Sequence, residues 1–163
     1  MPAHITLLYP FKPPNEFGAT VLADLRQCFA GFAAFHFSLA TIRRFPGVLY
    51  LAPEPEAPFR RLTLAIWDRY PGTPPYGGKH ADVVPHLSVA QLADEQRLGQ
   101  VDRDFRCKAR GEMPIAATAT EVALMDTRPG RWQVRATLRL GDAGGPGARN
   151  HLFTLSMDTR GLG

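Results

Sequence analysis

The alternation of apolar and polar residues in the first half of the chain predicts a strand, a helix and then a hairpin. Ile5 to Tyr9 is a short run that favours a strand. Apolar residues recur at helical spacing from Ala19 to Phe32, which indicates an amphipathic helix. Alternation from Phe35 to Leu39 and the apolar run Val48 to Leu51 flank the turn Phe45-Pro46-Gly47. These two strands are therefore expected to form a hairpin.

A second helix and a linker follow this hairpin. Phe59, Leu62 and Ile66 share a helical face after the proline-rich segment Pro53 to Pro58. Residues 71–80 then contain three prolines and three glycines, too many for a regular element. This stretch is predicted to link two halves of about residues 1–75 and 80–163.

The second half repeats the order of the first. A strand-like run spans His86 to Ala90, and a helical pattern carries Leu98, Val101 and Phe105. Two extended runs, Ile115 to Met125 and Trp132 to Leu140, predict a second hairpin. His151 to Met157 is interpreted as a last strand or a docked tail. The repeated order predicts an internal duplication.

Composition places the chain among folded proteins of one domain. It has 163 residues, of which 45% are hydrophobic and 21% charged. That supply of apolar residues can offset the entropy lost on folding. No apolar run approaches the roughly 20 residues of a membrane helix, and no leader pattern is visible. A cytoplasmic monomer with no membrane partner is expected.

The charge balance is compatible with a phosphorylated ligand but does not identify one. The net charge is +4, and the basic residues are 16 arginines and 3 lysines. Guanidinium groups bind phosphate in a bidentate fork. However, no dense basic run appears, so the ligand has to be inferred from the motifs and not from the charge.

Two tetrapeptides contain the candidate chemistry. They are His4-Ile5-Thr6-Leu7 and His86-Leu87-Ser88-Val89, and their histidines are 82 positions apart (86 − 4). Alternate side chains of a strand share a face, so each motif presents an imidazole and a hydroxyl together. If the two halves pack about an approximate two-fold axis, the four groups can meet across a groove that fits a small tetrahedral anion.

Two imidazoles facing a phosphate are sufficient for ester hydrolysis without a metal. With an unperturbed pKa near about 6.5, one histidine can act as base while the other acts as acid. Thr6 and Ser88 would donate hydrogen bonds to the phosphate oxygens. A single histidine on a strand is more often structural, but two copies that open equivalent halves favour the functional interpretation.

These motifs give the chain a recognisable family likeness. The sequence resembles the two-histidine phosphoesterase superfamily, specifically its bacterial proteins similar to 2'-5' RNA ligase and 2',3'-cyclic phosphodiesterase. Besides the two motifs, the resemblance rests on the segment Arg44 to Pro53 and on Pro75-Tyr76-Gly77-Gly78. It implies a bilobal α+β fold with two antiparallel sheets, helices outside and a central cleft.

The resemblance also implies roles for residues in the cleft. His86 would be the base and His4 the acid in hydrolysis of a 2',3'-cyclic phosphate, and the reverse reaction would join RNA ends. The substrate would be an RNA end or a small nucleotide, with no cofactor. Residues near the motifs are candidates for stacking on a base or attracting phosphate: Tyr9, Phe11, Tyr50, Tyr76, Arg43, Arg44 and Arg131. Core packing is the competing interpretation for the aromatic residues, and a solvated surface for the arginines.

Other classes of activity have no sequence support. There is no GxxxxGK[ST] loop, no GxGxxG, no HExxH and no GxSxG. The cysteines, Cys28 and Cys107, match no zinc spacing. The alternative that remains is a module that binds RNA or a nucleotide in the same cleft without catalysis.

Overall fold

The computed structural model describes residues 3–79, 82–126, 132–141 and 152–156, with only the backbone described at position 14 and in the last range. Three α-helices lie in this part of the chain: α1 (Ala19–Ala30), α2 (Ala57–Arg69) and α3 (Glu95–Lys108). The strands are β1 (His4–Leu8), β2 (Phe35–Phe45), β3 (Val48–Glu54), β4 (Leu87–Gln91), β5 (Ile115–Ala119), β6 (Glu121–Asp126), β7 (Gln133–Arg139) and β8 (Leu152–Ser156). Short 3₁₀ turns occur at Pro14–Glu16 and Pro75–Gly78.

The strands form two antiparallel groups that β8 joins. Hydrogen bonding orders them β5-β2-β3-β4-β1-β8-β6-β7. All pairs from β5 to β1 are antiparallel, as is the pair β6–β7, whereas β8 runs parallel to both β1 and β6. The prediction of an α+β fold with two antiparallel sheets is therefore confirmed. The parallel junction was not predicted, and the two-fold repeat and central cleft stay predictions.

The predicted strand from Ile115 to Met125 is wrong as a single element. It divides at Thr120 into β5, which pairs with β2, and β6, which pairs with β7 and β8. The chain leaves the edge of one antiparallel group here and enters the other. Residues 122–126 are buried in the second group, whereas β5 begins exposed at the edge of the first. The apolar pattern alone could not show this change of partner.

One face of the sheet packs against α1 and α2. Phe59 of α2 is fully buried and meets Phe35 and Phe37 edge to face, with ring centroids 5.0 and 5.1 Å apart. Thr63, also on α2, donates a hydrogen bond of 2.9 Å to the carbonyl of Leu7. These contacts hold α2 against the buried faces of β2 and β1. No helix in the described part of the chain is long and apolar enough to cross a membrane.

A polar cluster connects α1 to the end of α2. Both oxygens of Asp24 accept hydrogen bonds from the Arg69 guanidinium, and the Tyr70 hydroxyl donates to Oδ2 at 2.5 Å. These bonds, from Arg69 first and then Tyr70, lower the pKa of Asp24 to about 2. The carboxylate therefore stabilises the folded state wherever it is ionised.

Replacing Asp24 by asparagine is expected to change how the free energy of unfolding depends on pH. A carboxyl whose folded pKa lies below its unfolded value contributes stability above the unfolded pKa, near about 3.9, and loses it as the pH falls towards 2. The wild-type chain should thus be more stable than Asp24→Asn at pH 5, and the gap should close between pH 4 and 2. Urea unfolding at several pH values measures this gap. A constant gap would show that ionisation of Asp24 does not contribute.

Candidate active site

The two histidine motifs lie on neighbouring antiparallel strands. Ile5 of β1 is paired with Leu87 of β4. Ile5 is buried and Leu87 packs against the same apolar core, so both point to the helical face. In an antiparallel pair this register sets Thr6 opposite His86 and His4 opposite Ser88. Since side chains alternate along each strand, all four groups of the motifs project from the other face.

The register also determines how far apart these groups are. Residues directly opposite have Cβ atoms about 4.5–5.5 Å apart, and diagonal neighbours are about 7–8 Å apart. His4 and His86 are diagonal neighbours, with Thr6 and Ser88 at the other two corners. The local two-fold axis between Ile5 and Leu87 relates His4 to His86 and Thr6 to Ser88. Two imidazoles and two hydroxyls therefore surround one point on the sheet surface.

A cavity of about 610 Å³ adjoins this arrangement. It is lined by Phe45, Pro46, Val48, Tyr76, Asp82, Val84, His86, Ser88 and Gln91. The second motif thus contributes both of its polar groups to the wall. His4 and Thr6 lie one strand further along the same face, outside the lining. Both are half-buried, as is His86, whereas Ser88 is exposed, so neither imidazole is sealed in the core.

The orientation of His86 is fixed by a backbone carbonyl. Its Nδ1 lies 2.8 Å from the carbonyl oxygen of Val84. A carbonyl can only accept, so Nδ1 carries the proton of this bond and a neutral ring has its lone pair on Nε2. The hydrogen bond therefore selects the tautomer in which Nε2 can receive a proton.

Two aromatic rings support the same imidazole. Phe45 and Tyr50 stack with centroids 4.2 Å apart, and His86 meets them edge to face at 5.3 and 5.4 Å. Tyr50 is only 4% exposed. Its ring lies against Phe45 and beside His86, so it supports the imidazole, and its role in binding substrate stays a prediction. Sequence reasoning missed Phe45 as a site residue, since it was placed only in the hairpin turn and in the segment that carries the resemblance.

The turn that carries Phe45 is held by α3. Glu95 accepts a hydrogen bond of 2.6 Å from the amide of Gly47, and Leu92 donates one of 2.9 Å to the Gly47 carbonyl. Glu95 also pairs with Arg44 at 3.0 Å. Arg44 pairs across the strands with Leu49, whereas Arg43 pairs with Tyr50. Arg44 therefore projects from the face opposite to Tyr50 and anchors the turn, and it does not line the cavity.

Tyr76, within the turn Pro75–Gly78, also lines the cavity. Its backbone is left-handed, with φ +53°, a conformation that non-glycine residues adopt only when the surroundings require it. Its amide donates a hydrogen bond of 2.6 Å to the carbonyl of Tyr9, which follows β1 directly. Burial raises the pKa of the Tyr76 phenol, so it stays protonated at neutral pH.

The remaining predicted residues are not brought to the cavity. Phe11 is buried and packs edge to face against Phe17 and Tyr70, which makes it a core residue. Tyr9 is half-buried and contributes its carbonyl to the turn, without lining the cavity. Arg131 lies outside the residues that the structure describes.

Asp82 and Arg60 were not anticipated from the sequence. Asp82 lines the cavity and receives two hydrogen bonds from Arg60 of α2, at 2.5 and 3.3 Å. Among the residues that the structure describes, no group of three or more histidine, cysteine or acidic side chains could hold a metal ion.

Comparison with protein families agrees with this geometry. The model of the 2'-5' RNA ligase superfamily matches residues 1–131, a range that contains both histidine motifs. The chain therefore belongs to the 2'-5' RNA ligase superfamily, which is that of the two-histidine phosphoesterases. A search of curated proteins found no match.

Proposed function

We propose that this chain is a metal-independent phosphodiesterase that hydrolyses 2',3'-cyclic or 2'-5'-linked ribose phosphates. The observation that carries the proposal is the pairing of β1 with β4, which sets the two motifs side by side on one sheet face. Membership of a superfamily of phosphoesterases and ligases supports the reaction class and an RNA or nucleotide substrate. The adjoining cavity has the volume of a nucleotide-sized ligand site.

In the proposed mechanism, the two histidines act on opposite sides of the phosphorus atom. Nε2 of His86 takes a proton from water as the water oxygen bonds to phosphorus. The bond from phosphorus to one ribose oxygen breaks, and His4 donates a proton to that oxygen. The product is a ribose monophosphate with one free hydroxyl. The Val84 carbonyl supports the assignment of His86 as base, because it leaves Nε2 as the acceptor of the neutral ring.

The hydroxyls of Thr6 and Ser88 are proposed to bind the non-bridging oxygens. Negative charge on these oxygens grows as phosphorus becomes five-coordinate, so donors aimed at them stabilise the transition state more than the ground state. The same groups support ligation, in which the 5'-hydroxyl of a second RNA end attacks the cyclic phosphate in place of water. The bond from phosphorus to O5' forms, the bond to O3' breaks and O3' takes a proton, which leaves a 2'-5' linkage. Ligase activity is therefore part of the proposal.

The decisive test is hydrolysis of 2',3'-cyclic nucleotides by the purified chain in excess EDTA. We expect turnover to persist, and ³¹P NMR of the product identifies which ribose oxygen retains the phosphate. Binding of nucleotides without turnover would instead support a non-catalytic module. Loss of activity in EDTA, restored by a divalent metal, would contradict the metal-independent mechanism.

The pH dependence of kcat/KM provides a separate prediction. A mechanism that needs one neutral and one protonated imidazole should give a bell-shaped profile between pH 5 and 9. Each single histidine variant with residual activity should lose one limb of the bell. Initial rates at low substrate concentration across this range provide the measurement. A flat profile would assign the chemistry to other groups.

A further inference from the structure

The cavity beside His86 contains a carboxylate that the proposed reaction does not use. Asp82 is the one acidic residue among the described residues that line it. A carboxylate next to a bound phosphate would repel it, so Asp82 is expected to face another part of the substrate. Its side chain is 68% exposed, which leaves it accessible to a ligand in the cavity.

Arg60 keeps this carboxylate charged and in place. Its two terminal nitrogens donate to Oδ1 at 2.5 Å and Oδ2 at 3.3 Å, and Arg60 is itself held by Glu56 at 3.2 Å. These bonds lower the pKa of Asp82, to which the amide of Val83 contributes further. An ionised carboxylate has about four acceptor positions and no donor. The protein groups named here occupy three of them, so an acceptor position remains for a ligand.

Asp82 and His86 line the same cavity and are four positions apart in sequence. An extended chain spans at most about 13–14 Å over four positions, which is within reach of a nucleoside phosphate. Val84 and Tyr76 line the cavity together with both. A ribose phosphate at His86 would therefore place its base towards Tyr76 and Asp82, where the base can stack on the ring.

We propose that Asp82, anchored by Arg60, determines the base specificity of the site and favours guanine over uracil. This inference rests on the proposed function, because it takes the phosphate to lie at His86. Guanine presents two adjacent donors, N1–H and the N2 amino group, which can converge on the one acceptor position that Arg60 and Val83 leave. Uracil presents N3–H between two carbonyl oxygens, which a carboxylate repels. Adenine and cytosine each offer one amino group and are ranked between them.

The test compares 2',3'-cyclic GMP, AMP, CMP and UMP as substrates of the wild-type chain and of Asp82→Asn. A hydrogen bond to a charged group corresponds to roughly a 10- to 100-fold effect. We expect kcat/KM for the guanine substrate to exceed that for the uracil substrate at least about 10-fold. In Asp82→Asn this ratio should fall to within about threefold, since the amide loses the charge and can donate to a uracil carbonyl.

Two further variants separate specificity from packing. Arg60→Gln removes the anchor and should reduce the preference for guanine in the same direction. Asp102→Asn is a matched control, because Asp102 forms an ion pair with Arg106 at 2.6 Å within α3, outside the cavity. This control should leave the ratio unchanged. Equal loss of activity on all four bases in Asp82→Asn would overturn the proposal and assign Asp82 to positioning of the 82–86 segment.

Binding distinguishes failure of this inference from failure of the proposed function. Calorimetry with 3'-GMP and 3'-UMP measures base preference without turnover. A guanine preference that disappears in Asp82→Asn supports the inference even if no cyclic phosphate is hydrolysed. An absent preference in the wild-type chain, or one unchanged in Asp82→Asn, overturns it while leaving the phosphodiesterase proposal standing.

Discussion

Replacing His86 by alanine should lower kcat for 2',3'-cyclic nucleotide hydrolysis by about 10²- to 10⁴-fold, the usual contribution of a general base. The reason is the hydrogen bond from Nδ1 to the Val84 carbonyl, which leaves Nε2 to accept the proton of the attacking water. KM should change less, because most of the cavity wall remains. Single-turnover rates with saturating substrate measure the chemical step directly.

His4→Ala should cause a loss of similar size, and His36→Ala provides the matched control. His36 is exposed on β2, where Nδ1 lies 2.8 Å from the hydroxyl of Thr118. It is not among the residues that line the cavity, so its removal should leave turnover unchanged. Undiminished turnover in both His4→Ala and His86→Ala would remove the enzymatic proposal.

A substrate with a better leaving group can separate the two histidines. A 4-nitrophenyl phosphodiester releases an anion that needs no proton, so loss of the general acid matters little. His4→Ala should therefore regain much of its lost rate on this substrate, whereas His86→Ala should not. The opposite result would exchange the roles of the two residues.

Most helices and strands were predicted correctly, because helical spacing, alternation and turn residues are signals that lie within short stretches of the sequence. The helical spacing of Ala19 to Phe32 corresponds to α1, and the turn at Phe45-Pro46-Gly47 joins β2 to β3. Glycine at position 47 has φ +75°, which explains its place in the turn. In each motif the histidine and the hydroxyl residue are two positions apart, and this spacing predicted that their side chains share a face of the strand.

Strand partners could not be predicted, because pairing depends on distant parts of the chain. Nothing in the run Ile115 to Met125 indicates that β5 joins β2 while β6 joins β7 and β8. The pairing of Ile5 with Leu87 could not be predicted for the same reason. The duplication suggested that the motifs meet, but not that they share adjacent strands.

The residues around the motifs were predicted least well. Aromatic and basic side chains near a motif in sequence can face either side of the sheet. Phe11 packs in the core and Arg44 anchors a turn from the opposite face, whereas Phe45 supports His86. Asp82 is held at the cavity by a hydrogen bond from Arg60, which lies on a different element, so sequence position alone could not identify it. Proximity in sequence thus identified the strands of the site but not its walls.

Removing both hydroxyls, as in Thr6→Ala with Ser88→Ala, should lower kcat by roughly 10²- to 10³-fold with a smaller change in KM. A single donor to a transition-state oxygen is worth about this factor in other enzymes, and paired donors to one group are rarely additive. Thr6 lies opposite His86 and Ser88 opposite His4 in the register, so each hydroxyl is close to both imidazoles. Rates at saturating substrate measure the loss of kcat. The affinity for vanadate, a mimic of five-coordinate phosphorus, measures the loss of transition-state binding.

Conservative variants show whether the hydroxyl or the packing is responsible. Ser88→Thr keeps the donor and adds a methyl group at an exposed position, so its activity should stay within a few-fold of wild type. Thr6→Val keeps the shape of the side chain and removes only the donor, so it should behave as Thr6→Ala does. Vanadate affinity should fall with each lost hydroxyl, because the donors are proposed to act on the five-coordinate state. If Thr6→Val and Ser88→Ala retain both full turnover and full vanadate affinity, the charge on phosphorus is stabilised by other donors, and only the histidines remain in the proposed mechanism.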